Sequence, residues 1–200
     1  MTLKLFDHPH IIKLLNTYKN EEAYYLIFEY CEHLDLQTFI KNYYPKKRIP
    51  EYQVMKLAHQ IFAGLHVMME KKVVHRDLKL SCLLISSDYT VKIGGFEYSR
   101  ILASSDELMN SFRGTPLIVA PEIIENKPYD AKCDIWSLGV CLYAILIGNY
   151  PYYPRTFSIQ ELLNEIKSTP LTFPDYISKL GKQFLSSMLC VDPKARIGFK

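Results

Sequence analysis

Val73-Val74-His75-Arg76-Asp77-Leu78-Lys79-Leu80-Ser81-Cys82-Leu83-Leu84 is the stretch on which the chain's reading turns, with Val91-Lys92-Ile93-Gly94-Gly95-Phe96-Glu97 after it. Leu83-Leu84-Ile85 and Val91-Lys92-Ile93 are short apolar runs joined by the polar turn Ser86-Ser87-Asp88, the pattern of a tight hairpin. Upstream, Val54, Leu57, Ala58, Ile61, Phe62, Leu65 and Met68 recur at three and four, which predicts a long helix from Glu51 with one buried face. Further upstream, Ile11 to Thr17 and Ala23 to Tyr30 are rich in β-branched and aromatic residues. They predict a second hairpin turning at Lys19-Asn20-Glu21-Glu22. Downstream, Tyr98 to Gly114 shows no period and reads as a mobile loop. Asp134 to Ile147 is apolar all round, a buried helix with Gly148 at its C-cap. Ser158 with Glu161 forms a capping box opening a helix to about Ile166, and Tyr176 to Cys190 reads as helix closed by Asp192-Pro193.

Bulk properties narrow the class. Two hundred residues, 48% hydrophobic and 22% charged, suit one domain with a sizeable core and argue against disorder. A net charge of +3, from 24 basic and 21 acidic residues, is too mild for nucleic acid. The basic runs Lys46-Lys47-Arg48 and Lys71-Lys72 read as a solvated loop and a helix end. The five cysteines are scattered without a C-x-x-C pair, which indicates reduced thiols rather than a disulfide frame or zinc site. No signal peptide is legible at the N-terminus, and the most apolar segment, Val140 to Ile147, is too short for a bilayer, which needs about 20 residues. The expectation is a cytoplasmic or nuclear protein without membrane insertion.

The two quoted stretches resemble the eukaryotic protein kinases. His75-Arg76-Asp77-Leu78-Lys79 matches the start of the catalytic loop H-R-D-L-K-x-x-N, and Gly95-Phe96-Glu97 falls where the family carries its metal-binding D-F-G. The likeness extends along the chain. His8-Pro9-His10-Ile11-Ile12-Lys13-Leu14 is similar to the segment before the fourth strand, worded most like the AMP-activated and calmodulin-dependent serine/threonine group. Glu29-Tyr30-Cys31, behind Phe28, resembles the hinge that binds adenine, with Leu84 as the floor. Gly114-Thr115-Pro116 to Ala120-Pro121-Glu122 resembles the peptide-positioning loop. Asp134-x-Trp136-Ser137-x-Gly139 resembles the helix whose aspartate holds the catalytic loop, and Asp192-Pro193-x-x-Arg196 brings the arginine that pairs with Glu122. The resemblance implies an α+β, kinase-like fold. Residues 1–30 would be a remnant of the small lobe, and 31–200 the large lobe without its last helix.

The resemblance also implies roles. Asp77 stands at the catalytic base and Lys79 at the phosphate contact; both are read as vestigial positions. Arg76 is the arginine that pairs with a phosphorylated loop, and Ser111 lies at the phosphosite position. Thr115 belongs to the serine/threonine specificity loop. His75 and Phe96 would stack with Leu3 and Leu14 in a hydrophobic spine, and Glu122, Asp134 and Arg196 would be structural. The departures bear on function. Cys82 replaces the metal-binding asparagine and Gly95 the metal-binding aspartate, so no metal ligand is expected. Glu97 replaces a glycine and adds negative charge near the phosphates. The regulatory-helix glutamate, glycine-rich loop and strand lysine would all fall before Met1.

The favoured expectation is a pseudokinase-like interaction or regulatory module. It would bind a protein partner or peptide in a groove beside Thr115 and the Phe157 to Ile166 stretch, and no cofactor is expected. A second reading is a weakly active serine/threonine kinase completed by upstream sequence, with ATP and Mg as cofactors. A third is a gene fragment with no stable product.

Overall fold

The computed structural model describes residues 2–45, 48–156 and 158–199. Lys46, Lys47 and Phe157 thus lie outside the described residues, and with them part of the basic run and of the expected partner groove. The N-terminal hairpin pairs β1 (Leu14–Lys19) with β2 (Tyr24–Phe28) antiparallel, and Asn20 N–H donates to the Ala23 carbonyl across the turn at 3.0 Å. The first strand begins later than its composition suggests. Ile11 and Ile12 are 2% and 4% exposed and cross instead to Ile93, because their side chains belong to the core.

A helix follows that periodicity had not singled out, α1 (Leu36–Tyr43). Asp35 caps it, accepting from Thr38 N–H at 3.0 Å and Thr38 Oγ1 at 2.8 Å. Helix α2 (Glu51–Glu70) buries Val54, Ala58, Ile61, Leu65 and Met68, the stripe read from spacing. After it, β3 (Val73–Val74) leads into the loop around Asp77. The second hairpin is β4 (Leu83–Ile85) against β5 (Val91–Ile93), in the register Leu83–Ile93.

The stretch from Tyr98 to Gly114 is more ordered than its lack of period implied. It contributes β6 (Arg100–Ile101), which pairs with β3, and Met109 bridges to Tyr129. A pairing so distant in sequence leaves no local periodic signal. The short α3 (Pro121–Ile124) then precedes the central α4 (Lys132–Ile147). Helix α4 is buried on nearly every side and ends on Gly148 at φ +93, a left-handed position that glycine adopts without steric cost.

Helix α5 (Ile159–Ser168) starts at Ser158, whose hydroxyl accepts from Glu161 N–H. Only half of the expected box forms, because the Glu161 carboxylate reaches back to Thr156 N–H at 2.8 Å. Helix α6 (Lys179–Met188) starts later than expected: Ser178 caps it, while Tyr176 and Ile177 remain in a turn after Pro174. Helix α6 packs on α4, with Met188 and Leu189 seated against Gly139. The α+β architecture expected from the motifs is the one observed. Among the described residues no helix is long and apolar enough to cross a membrane.

Candidate functional site

The site is built where the loop after β3 meets the first turn of α4. Arg76 sits at φ +69, in the left-handed region that costs a residue with a β-carbon about 1–2 kcal/mol. Asp134 holds that shape, with Oδ2 accepting from His75 N–H at 2.7 Å and Oδ1 from Arg76 N–H at 2.8 Å. Burial raises the Asp134 carboxyl above its ordinary range, while His75 and the two N–H donors act the other way. His75 is fully buried. Its Nε2 lies 2.7 Å from the Gly94 carbonyl oxygen and its ring centroid 5.2 Å from that of Phe96. Leu3 is buried and Leu14 half-buried. Phe6, which the motif reading did not include, tilts onto Phe96 at 5.7 Å.

Asp77 is 5% exposed and fully engaged. Thr115 Oγ1 donates to Oδ1 at 2.8 Å, and Lys79 Nζ lies 2.7 Å from Oδ2 and 3.3 Å from Thr115 Oγ1. The hydrogen bond to Asp77 raises the Lys79 ammonium above its ordinary value. Thr115 therefore belongs to the network around Asp77 and Lys79. Arg76 reaches the loop on its other side, donating to Tyr98 O at 2.6 Å and to Ser111 Oγ at 3.1 Å. Sequence reading paired these two residues through a phosphate. Here the guanidinium already meets the unmodified hydroxyl.

The chemistry of the donor set does not fit a magnesium ion at the positions the motifs mark. Magnesium needs oxygen in near-octahedral array. Gly95 has no side chain, and Cys82 offers a buried thiol whose pKa burial pushes up to about 11. The thiol donates to Asp77 O at 3.4 Å, so it is a packed neutral group and not a reactive one. A β-carbon on residue 95 would stand 2.5 Å from Cys82 Sγ and 3.1 Å from Cys82 Cβ. The sulfur thus fills the space that a side chain at 95 would enter. Gly95 also takes the left-handed conformation, at φ +74. The glycine expected at position 97 for chain reversal is not needed, since Glu97 lies in a 3-10 turn over Phe96–Tyr98 with ordinary φ. Among the described residues no cluster of three or more His, Cys, Asp or Glu could hold a metal.

Beside this pair lies a cavity of about 560 Å³ whose lining includes Phe28, Glu29, Cys31, Leu84 and Phe96. The three expected hinge and floor residues therefore do share one cavity. The Glu29 carboxylate is turned to the protein: Oε1 accepts from Lys13 N–H at 2.7 Å and Oε2 pairs with Lys92 at 3.1 Å. The Cys31 carbonyl accepts from Leu34 N–H at 3.1 Å. Far from the cavity, Arg196 and Glu122 form a buried two-pronged pair at 2.7 and 2.9 Å. Arg196 also donates to the Cys190 and Lys132 carbonyls and stacks on Trp136, which satisfies its fork.

A family model described as "Protein kinase domain" matches residues 1–200. Among curated proteins, the chain is 39% identical over 205 residues to "Fatty acyl-CoA synthetase and RNA processing-associated kinase 1" of Saccharomyces cerevisiae, covering 99% of the chain and 23% of that protein. It is 37% identical over 196 residues to "Serine/threonine protein kinase OSK3" of Oryza sativa, covering 98% of the chain and 37% of the relative. It is 31% identical over 195 residues to "Serine/threonine-protein kinase TIO" of Arabidopsis thaliana, covering 98% of the chain and 14% of the relative. The chain thus spans well under half the length of each.

Proposed function

The chain belongs to the protein kinase family, and from that premise we propose that it is a silenced serine/threonine-kinase-like domain, a pseudokinase that works as a protein-interaction or regulatory module. The observation that carries this is the Cys82–Gly95 interlock, which puts a neutral sulfur against bare backbone where the family would present metal-binding oxygens. Phosphoryl transfer in this family rests on positioning and on neutralising the phosphate charge with lysine and magnesium. With those oxygens gone, Asp77 and Lys79 are left holding Thr115 and the loop's shape. Partner binding would use the surface beside Thr115 and α5. The apolar side of α5, Leu162, Leu163 and Ile166, is buried in the domain, which leaves its polar face and the neighbouring loops for a peptide.

The test is a phosphotransfer assay with magnesium-ATP and a peptide mixture. No transfer above the Asp77→Asn variant is expected. Transfer that Asp77→Asn abolishes would refute the proposal.

A second reading, a weakly active serine/threonine kinase using ATP and magnesium, draws on one observation. The catalytic-loop network of Asp77, Lys79 and Thr115 is fully formed, with the Arg76–Ser111 contact beside it. The same assay decides between the two.

A further inference from the structure

We propose that the cavity beneath β2 takes a flat, largely apolar ligand bearing a positive charge, with Glu97 as its counter-ion. This inverts the charge preference of a polyphosphate site, and it rests on the reading above, in which no metal-bound triphosphate is held. Among the described residues that line it there are three acids and no base. Two of the acids are committed: Glu29 to Lys13 and Lys92, and Asp35 to the cap of α1. Glu97 has no hydrogen-bond or ion-pair partner among the described residues. Its Oε2 stands 3.6 Å from where a β-carbon on Gly95 would sit, so the carboxylate overhangs the bare backbone at the cavity floor.

Two lysines around the site are already committed to other acids. Lys79 is held by Asp77 at 2.7 Å and Lys92 by Glu29 at 3.1 Å. The apolar part of the wall includes Leu3, Ile12, Leu26, Phe28 and Leu84, surfaces suited to the faces of a planar ring system.

A polyphosphate entering here would meet a carboxylate with no cation between them, and the wall would not replace its hydration. A bare divalent ion fares little better, since one carboxylate beside a neutral thiol supplies too few oxygens. A protonated amine or guanidinium needs only one carboxylate to form a charge-assisted hydrogen bond, and the Phe28 ring lines the same cavity. Glu97 is itself exposed to solvent, which holds the gain to the lower end for such bonds.

The probes are adenosine, AMP, ATP and amino-deoxyadenosine, which carries a primary amine where ATP carries its phosphates. Binding is read by titration calorimetry on the full chain, with and without magnesium. Amino-deoxyadenosine should bind about two- to fivefold tighter than adenosine, the size of one exposed charge pair. AMP and ATP should bind more weakly than adenosine, and magnesium, which neutralises part of the ATP charge in solution, should bring neither of them above adenosine. Glu97→Gln should bring amino-deoxyadenosine level with adenosine while leaving adenosine unmoved, and Glu97→Lys should reverse the order. Melting curves of both variants confirm folding, and a variant that melts with the parent keeps the comparison valid. ATP with magnesium binding tighter than adenosine would overturn the proposal. So would an order unmoved by Glu97→Gln, or no binding by any of the four. Phosphotransfer measured on the same protein reports separately on the silenced-kinase reading.

Discussion

Adding one methyl group at Gly95 tests whether the two altered metal positions are packed against each other. The new β-carbon would sit 2.5 Å from Cys82 Sγ and 3.1 Å from Cys82 Cβ, against an ordinary contact of about 3.5–4.0 Å. Cys82 is 6% exposed and tied to Asp77 O, so its sulfur has little room to move. Overpacking of this kind costs about 1–3 kcal/mol. The left-handed backbone at φ +74 adds about 1–2 kcal/mol once a β-carbon is present. The unfolded chain, stiffened by alanine, gives back about 0.4–1 kcal/mol. Gly95→Ala should therefore destabilise the domain by about 2–4 kcal/mol, a fall in melting temperature of roughly 5–15 °C for a chain of this length. In a Cys82→Ala background the sulfur is gone and only the backbone cost and a tight β-carbon contact remain. Urea denaturation of the parent, both single variants and the double variant should return a favourable coupling of about 1–2 kcal/mol. Additivity within about 0.5 kcal/mol would refute the interlock.

Three further outcomes follow from the same geometry. Glu122→Ala leaves the Arg196 guanidinium buried without its carboxylate and should cost about 3–5 kcal/mol in urea denaturation; pairing it with Arg196→Met should recover part of that loss. Asp134→Ala orphans the His75 and Arg76 amides. It should cost about 2–5 kcal/mol, and hydrogen exchange at those two amides should rise more than at α6. Alkaline stability should fall from about pH 9 upward. The Cys82 and Cys141 thiols are pushed from 9.0 to about 11 and about 12 by burial, so the unfolded chain releases these protons first. The stabilisation is complete below the unfolded value and is lost as pH rises through the folded ones. Cys82→Ala should flatten the upper part of a melting-temperature profile taken between pH 8 and 11.

Much of the fold is written in short-range pattern. The stripe from Val54 to Met68, the all-round apolar α4 and the β4–β5 hairpin lie where spacing placed them, because helix and strand periods are set by neighbours along the chain. The motif residues came with the same locality: His75, Asp77 and Lys79 were legible within a few letters of one another. Helix α1 could have been found from Asp35 followed by Leu36, Phe39, Ile40 and Tyr43, whose spacing is helical and whose cap is an aspartate.

Other features needed the chain to close on itself. Nothing in the letters around Arg100 says that it pairs with Val74, and nothing around Phe6 says that it lies on Phe96. Cys82 and Gly95 read separately as two lost ligands. Only the β4–β5 hairpin, which brings them face to face, makes them one packed unit with a left-handed residue at position 95. Glu97 likewise read as a charge near phosphates, and its standing as the uncommitted acid of the cavity, among the described residues, depends on Lys79 and Lys92 pairing elsewhere. Periodicity and motif spacing are properties of adjacent residues and survive without a fold. Sulfur against backbone, or carboxylate without cation, is a relation across space that exists only after distant segments have packed.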